Sequence, residues 1–181
     1  SADLGFMIQQ SLINEFRARG IEKKAVTVVT QVIVDQKDEA FQNPTKPIGS
    51  FMSEAEAKRH QQDDGWVVVE DSGRGWRRVV PSPEPKKIVE IEAIKELISK
   101  GYIVICVGGG GIPVIEKEGK LEGVAAVIDK DYASALLASE IKADTLIVST
   151  AVDKVAVNFG KPDQKELDRL TVAEAEAYMA E

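Results

Sequence analysis

Two short stretches carry the residue types that handle anions. In CVGGGGIPVI, residues 106–115, an apolar run at 103–107 leads into Gly108, Gly109, Gly110 and Gly111, followed by Ile112 and Pro113. A backbone without Cβ atoms can approach a phosphate or an acyl anion closely. In AAVIDKDYAS, residues 125–134, a second apolar run ends on Asp129, Lys130 and Asp131 and passes into a helical pattern. This sets an ammonium between two carboxylates where a strand's carboxyl end meets a helix N-terminus, the edge at which open α/β sheets bind ligands. The glycine run fits neither the P-loop nor the GxGxxG pattern, because Ile112 and Pro113 stand where those motifs need other residues. Phosphoryl transfer needs fixed cations around the transferring oxygens, and lysine serves as a point charge there. The plain alternatives are a ligand-free turn for the glycines and a capped helix start for Asp-Lys-Asp. Four ordered glycines lose much backbone entropy, which weighs against a plain turn.

Other residues compete for attention. Lys46 stands between Pro44 and Pro47, so its side chain is the mobile part of a stiff loop. An ordinary exposed lysine is the alternative there. GRGWRR, residues 73–78, offers three arginines beside Trp76. It reads either as an anion clamp or as a hairpin whose arginines pair with nearby acids. The lone His60 lies in a polar helical run and reads as solvated; the single Cys106 lies in an apolar strand and reads as a buried structural thiol.

The elements that would position these groups follow an α/β pattern. Leu4, Met7, Ile8, Leu12 and Phe16 recur at helical spacing up to Gly20, and residues 25–34 form a β-branched strand. From 35 to 85 the composition shifts towards aromatic and charged residues between proline-marked ends, predicting an inserted lobe with a helix at 53–62 and strands at 66–70 and 76–80. The pattern then resumes with a helix at 87–100 stopped by Gly101, a strand at 102–107, a polar hairpin at 116–122, and a strand at 123–128. A helix at 132–141, strands at 145–149 and 155–159, and a last helix from Val172 complete the order, with Thr171 and Glu174 spaced as a capping box. Three parts follow: 1–34 and 86–181 in a main α/β domain, and 35–85 as a lid lobe.

Composition sets limits. With 181 residues and 44% hydrophobic content the chain can bury one sizeable core. A formal charge of −7 argues against nucleic acid or an anionic membrane as the main partner. No apolar run approaches the roughly 20 residues of a membrane span, and the first residues lack a signal-peptide layout. One cysteine forms no intrachain disulfide, which suits a reducing cytosol.

Taken together, VVTQVIVD (28–35), NPTKPIGSF (43–51), EDSGRGWRRVVPSPEP (70–85), VGGGGIPVI (107–115), GVAAVIDKD (123–131) and STAVDKVAVNFGKP (149–162) resemble the carbamate kinase branch of the amino-acid kinase family. The resemblance implies a three-layer αβα sandwich with a mainly parallel sheet, plus a small inserted α+β lobe. It implies reversible phosphoryl transfer between ATP and carbamate, giving ADP and carbamoyl phosphate, with Mg²⁺ accompanying the nucleotide and no metal site of the protein's own. Lys130 would touch the transferring phosphoryl group, Asp129 would orient the lysines, and Lys46 would reach over the acyl-phosphate site. Gly108, Gly109, Gly110, Gly111 and Ile112 would meet the carbamate and phosphate end; Ser149, Ala151, Val152 and Asp153, with Lys130, would line the nucleotide. It further implies a cytoplasmic homodimer of arginine catabolism, often run towards ATP. The family's N-terminal glycine-turn strand and distal lysine segment have no counterpart in these residues, so the chain is expected to be the middle of a longer enzyme and inactive alone. The alternatives are another acyl or phosphate kinase of the family, or a noncatalytic nucleotide-binding or oligomerisation module.

Overall fold

A computed structural model describes residues 2–71 and 73–179. Ser1, Ser72, Ala180 and Glu181 lie outside it, and with them one residue of the 70–85 segment. In chain order the elements are α1 (Ala2–Ala18), β1 (Lys24–Thr27), β2 (Gln31–Val34), β3 (Lys46–Met52), α2 (Glu54–Asp63), β4 (Val67–Glu70), β5 (Trp76–Val80) and β6 (Pro85–Ile88). Then come α3 (Ile91–Ser99), β7 (Tyr102–Ile105), β8 (Ile112–Lys117), β9 (Lys120–Gly123), α4 (Lys130–Glu140), β10 (Val155–Val157), β11 (Lys165–Leu167) and α5 (Val172–Met179). The chain forms two compact units, Ser1–Leu146 and Ile147–Glu181.

In the first unit, β1 pairs in parallel with β7, and a four-stranded sheet runs in the order β6-β2-β8-β9 with β2 and β8 parallel. Val32, Val34, Ile88, Ile94, Ile115, and Ile128 belong to its core, closed by Val107 and Ala133. The strand expected at 25–34 is two strands in two sheets. The break at 28–30 arises because Thr30 turns its backbone from one neighbour to the other: Val28 N–H donates to Ile105 O at 2.9 Å, whereas Thr30 O accepts from Ile112 N–H at 2.8 Å. The helix expected from Lys87 begins at Ile91, since Lys87 and Ile88 are taken into the β2 ladder. Glu90 then spends its carboxylate on Gln31, accepting from its backbone N–H at 2.7 Å and its amide at 2.9 Å.

The three-stranded antiparallel sheet β3-β5-β4 carries α2. Ser53 caps α2 in a reciprocal box with Glu56, which satisfies amides that the helix leaves unpaired. Sequence reading missed β3, because two prolines suggested a loop. Pro47 is tolerated there since β3 lies at the sheet's edge. His60 is not simply solvated: it stacks on Trp66 with ring centroids 4.2 Å apart, and its Nδ1–H donates to Asp64 Oδ2 at 2.6 Å.

The hairpin of β8 and β9 turns at Glu118 and Gly119, but the strand expected at 123–128 ends at Gly123. Residues 124–128 run beside the sheet without a ladder, held by Val127 N–H donating to Pro81 O at 2.9 Å. Residues 145–149 are not a strand either, and Ile147 is 85% exposed. Their β-branched character has no strand edge to pair with among the described residues. In the second unit, β10 and β11 form a hairpin, and α5 starts with the Thr171–Glu174 box, Thr171 N–H donating to Glu174 at 2.8 Å.

Candidate active site

The glycine run is a tight turn after β7. Val107 enters it at φ 56°, ψ 21°, a left-handed conformation that is strained for a β-branched residue. Thr30 holds it there. This residue is 4% exposed, its hydroxyl donates to Val28 O at 2.9 Å, and the same oxygen accepts the Val107 N–H at 2.9 Å. Sequence reading gave Thr30 and Val107 no role; Thr30 is one of three polar residues, with Thr27 and Gln31, in the run at 25–34.

Gly110 and Gly111 are packed positions. A Cβ at Gly110 would lie 2.2 Å from Ile128 O, and one at Gly111 would lie 2.5 Å from a Val32 methyl. Gly109 differs, since a Cβ there would meet nothing within 4 Å. Gly108, Gly109 and Gly111 line a cleft of about 460 Å³ whose other walls include Ile8, Thr27 and Cys106. Ile112 is the first residue of β8 and is exposed. Burial pushes the Cys106 thiol above its usual range, which keeps it protonated and weakly reactive at neutral pH.

The contact of Gly110 with Ile128 carries the turn to the next element, because Asp129 follows directly. Asp129 is the N-cap of α4: its Oδ1 accepts from Asp131 N–H at 2.8 Å, and its Oδ2 pairs with the Lys46 ammonium. One carboxylate thus caps a helix and receives a lysine from β3, 83 residues away in sequence. The Lys46 ammonium first, and the Asp131 amide second, hold the Asp129 carboxyl below the usual carboxylate range. Lys130, the first residue of α4, pairs instead with Asp131 at 3.3 Å, and its side chain is 70% exposed. Lys46, Asp129 and the glycine turn therefore come together, with Lys130 at their solvent edge.

Because Asp129 is lowered, the Lys46 pair is fully present above the ordinary carboxylate value, about 3.9, and is lost as pH falls through the depressed one. Amide exchange in β3 is expected to quicken in that acid range. Asp129→Asn should produce the same change at neutral pH while α4 stays protected, since Asn caps as well as Asp. Unchanged β3 protection in the variant would deny the pair a holding role.

The remaining expected site residues lie in the second unit. Ser149, Ala151, Val152 and Asp153 are exposed and outside regular structure, with Val152 N–H donating to the Thr150 hydroxyl at 3.0 Å. Lys154 pairs with Asp168 at 2.6 Å. Of the arginines, Arg74 and Arg77 pair with Asp71 at 3.0 and 3.4 Å, as a structural hairpin would have them. No group of three or more His, Cys, Asp or Glu side chains among the described residues is placed to hold a metal ion.

The amino acid kinase family pattern matches residues 6–181. The carbamate kinase of Thermococcus kodakarensis is 56% identical over 178 residues, which is 98% of this chain and 56% of that protein. The carbamate kinase-like protein YahI of Escherichia coli is 54% identical over 180 residues, 98% of this chain and 57% of its own length. Among solved structures, carbamate kinase from Giardia lamblia bound to AMP-PNP superimposes with a TM-score of 0.85 at 44% identity, over 99% of this chain and 57% of that one. The chain spans just over half the length of the relatives it matches, and it shares their αβα fold. On the sequence match over nearly its whole length and on this shared architecture, the chain belongs to the amino acid kinase family.

Proposed function

We propose that the protein is a carbamate kinase, transferring a phosphoryl group reversibly between ATP and carbamate. The observation that carries this reading is the convergence of Lys46 and Asp129 beside a glycine turn whose open face, at Gly109, has room for an anion. Two lysines would offset charge on the transferring oxygens, Lys46 from the lobe and Lys130 from α4, with Asp129 fixing the first. The amides of Gly108 and Gly109 would face the acyl-phosphate end, whereas those of Gly110, Gly111 and Ile112 donate to Val107 O at 3.0 Å, Gly108 O at 3.3 Å and Thr30 O at 2.8 Å and set the turn onto β8. Residues 35–85 would act as a lid that excludes water and opens for exchange. Ser149, Ala151, Val152 and Asp153 would line the nucleotide, and Mg²⁺ would arrive with its phosphates. The enzyme would work in the cytoplasm, in arginine catabolism; no helix among the described residues is long and apolar enough to cross a membrane.

The test is ATP formation from ADP and carbamoyl phosphate by the full-length protein, followed with luciferase. Acetyl phosphate and other acyl phosphates serve as comparison donors. Turnover with carbamoyl phosphate supports the reading. Turnover with another acyl phosphate alone favours a different acceptor, a second reading that the "carbamate kinase-like" name of the Escherichia coli relative keeps in view. No nucleotide turnover with any donor favours the noncatalytic module.

A homodimer belongs to the same proposal. The helix α1 packs on β1 through Gly5 and Gln9, whose side chain accepts the Thr27 N–H at 2.6 Å. Leu4, Phe6, Met7 and Ile8 are left 65%, 60%, 60% and 49% exposed, an apolar arc that a second copy would cover. Light scattering of the full-length protein at micromolar concentration should give twice the monomer mass. A monomer mass would leave α1 without that role.

A further inference from the structure

Between α2 and the β3–β5 face of the lobe lies a groove of about 450 Å³, lined by Ile48, Ser50, Met52, His60, Trp66 and Arg78 among others. Arg78 sits mid-strand on β5, opposite Ile48 on one side and Val68 on the other, and is half-buried. Buried cations are normally paired. Its neighbours in sequence obey that rule, as Arg74 and Arg77 share Asp71. Arg78 has no ion pair or hydrogen bond from its guanidinium among the described residues; its contact is the Trp66 ring, 4.7 Å from its carbon to the ring centroid. The acid lining the groove, Glu56, is committed to Ser53, accepting from its N–H at 2.9 Å and its hydroxyl at 2.8 Å.

Stacking on an indole uses the face of a guanidinium and leaves its in-plane N–H fork unengaged. That fork is the geometry that takes a carboxylate or a phosphate through paired, charge-assisted bonds. The Ser50 hydroxyl adds a polar group to the lining, and the apolar side chains of Ile48 and Met52 suit a ligand with a hydrophobic body. We propose that this groove binds a small organic anion, a carboxylate or phosphate ester on a flat or apolar body, with Arg78 as its counter-ion. The proposal stands apart from the reaction assigned above, because Lys46 is engaged with Asp129 and none of the groove's lining belongs to the glycine turn.

The test titrates phenyl phosphate and benzoate into the protein at fixed ionic strength, with benzyl alcohol as the neutral counterpart. Binding is read by calorimetry and by the part of the tryptophan emission change that Trp66→Phe removes. Saturable binding of either anion with a Trp66 response, and none of the alcohol, is expected; which anion binds tells phosphate ester from carboxylate. Arg78→Gln should weaken it by roughly tenfold or more, whereas Lys130→Ala should leave the Trp66 response in place, which separates this groove from the catalytic end. Should Arg78→Gln fail to fold, Arg78→Lys keeps the charge without the fork and should still bind more weakly than wild type. Absence of a saturable Trp66 response to both anions, or equal affinity in the folded Arg78 variants, would overturn the proposal.

Discussion

In the proposed phosphoryl transfer, Lys130→Ala is expected to lower turnover with ADP and carbamoyl phosphate by about 10²–10³-fold, the loss seen when one group that stabilises transition-state charge is removed. The expectation starts from position. Lys130 is the first residue of α4 and follows the Asp129 cap, whose other oxygen holds Lys46. Among the described residues its ammonium is tied to Asp131 alone, at 3.3 Å, with both side chains more than half exposed, so it can swing onto an arriving phosphate. The substitution is also clean. Alanine is the best helix former, and a cation at a helix N-terminus is mildly unfavourable, so α4 should not weaken. A lost rate in this variant therefore reports lost chemistry, which retained ADP binding and unchanged thermal unfolding would establish. Turnover near that of the wild type would return Asp-Lys-Asp to a capped helix start and nothing more.

The sequence made the two halves of that site readable for different reasons. Asp129 and Lys130 stood out because a charged triplet ends an apolar run, and Trp76–Val80 matched β5 residue for residue because Gly75 and Pro81 bound it. The Thr171 cap was equally legible, since a cap is a local pattern, whereas Ser53, read as the first residue of a helix, is its cap. What escaped was non-local. Nothing in VVTQVIVD says that Thr30 must satisfy Val107, 77 residues later, and so split one strand into two. Lys87 and Ile88 satisfy a helical period as well as a strand's, and the β2 ladder decided between them. Residues 145–149 have strand composition without a partner edge among the described residues, and composition alone cannot supply one. Lys46 was singled out, yet its strand was hidden by Pro44 and Pro47, whose tolerance at a sheet edge is a property of topology.

Gly110→Ala should be the most damaging single methyl in the glycine turn, and comparison with Gly109→Ala tells packing from ligand space. At Gly110 the added Cβ would lie 2.2 Å from Ile128 O and 2.9 Å from Ile128 C, with φ at +95°. These are backbone atoms, so no side chain can rotate away, and Ile128 is itself core at 1% exposure. The clash pushes the segment that ends in Asp129 and so displaces the Lys46 pair. Overpacking and the positive φ together should cost about 3 kcal/mol. At Gly109 the φ is +69° and the Cβ meets nothing within 4 Å, so only the conformational cost applies, roughly 1–2 kcal/mol. The methyl there would occupy the open side of the turn, where the proposed anion sits. Gly110→Ala should therefore lower thermal stability more than Gly109→Ala. Gly109→Ala should stay folded under assay conditions, with its KM for carbamoyl phosphate raised. If both variants lost equal stability, Ile128 would not be the wall against which the turn is built; if Gly109→Ala bound carbamoyl phosphate as the wild type does, the anion would have to meet the turn from another side.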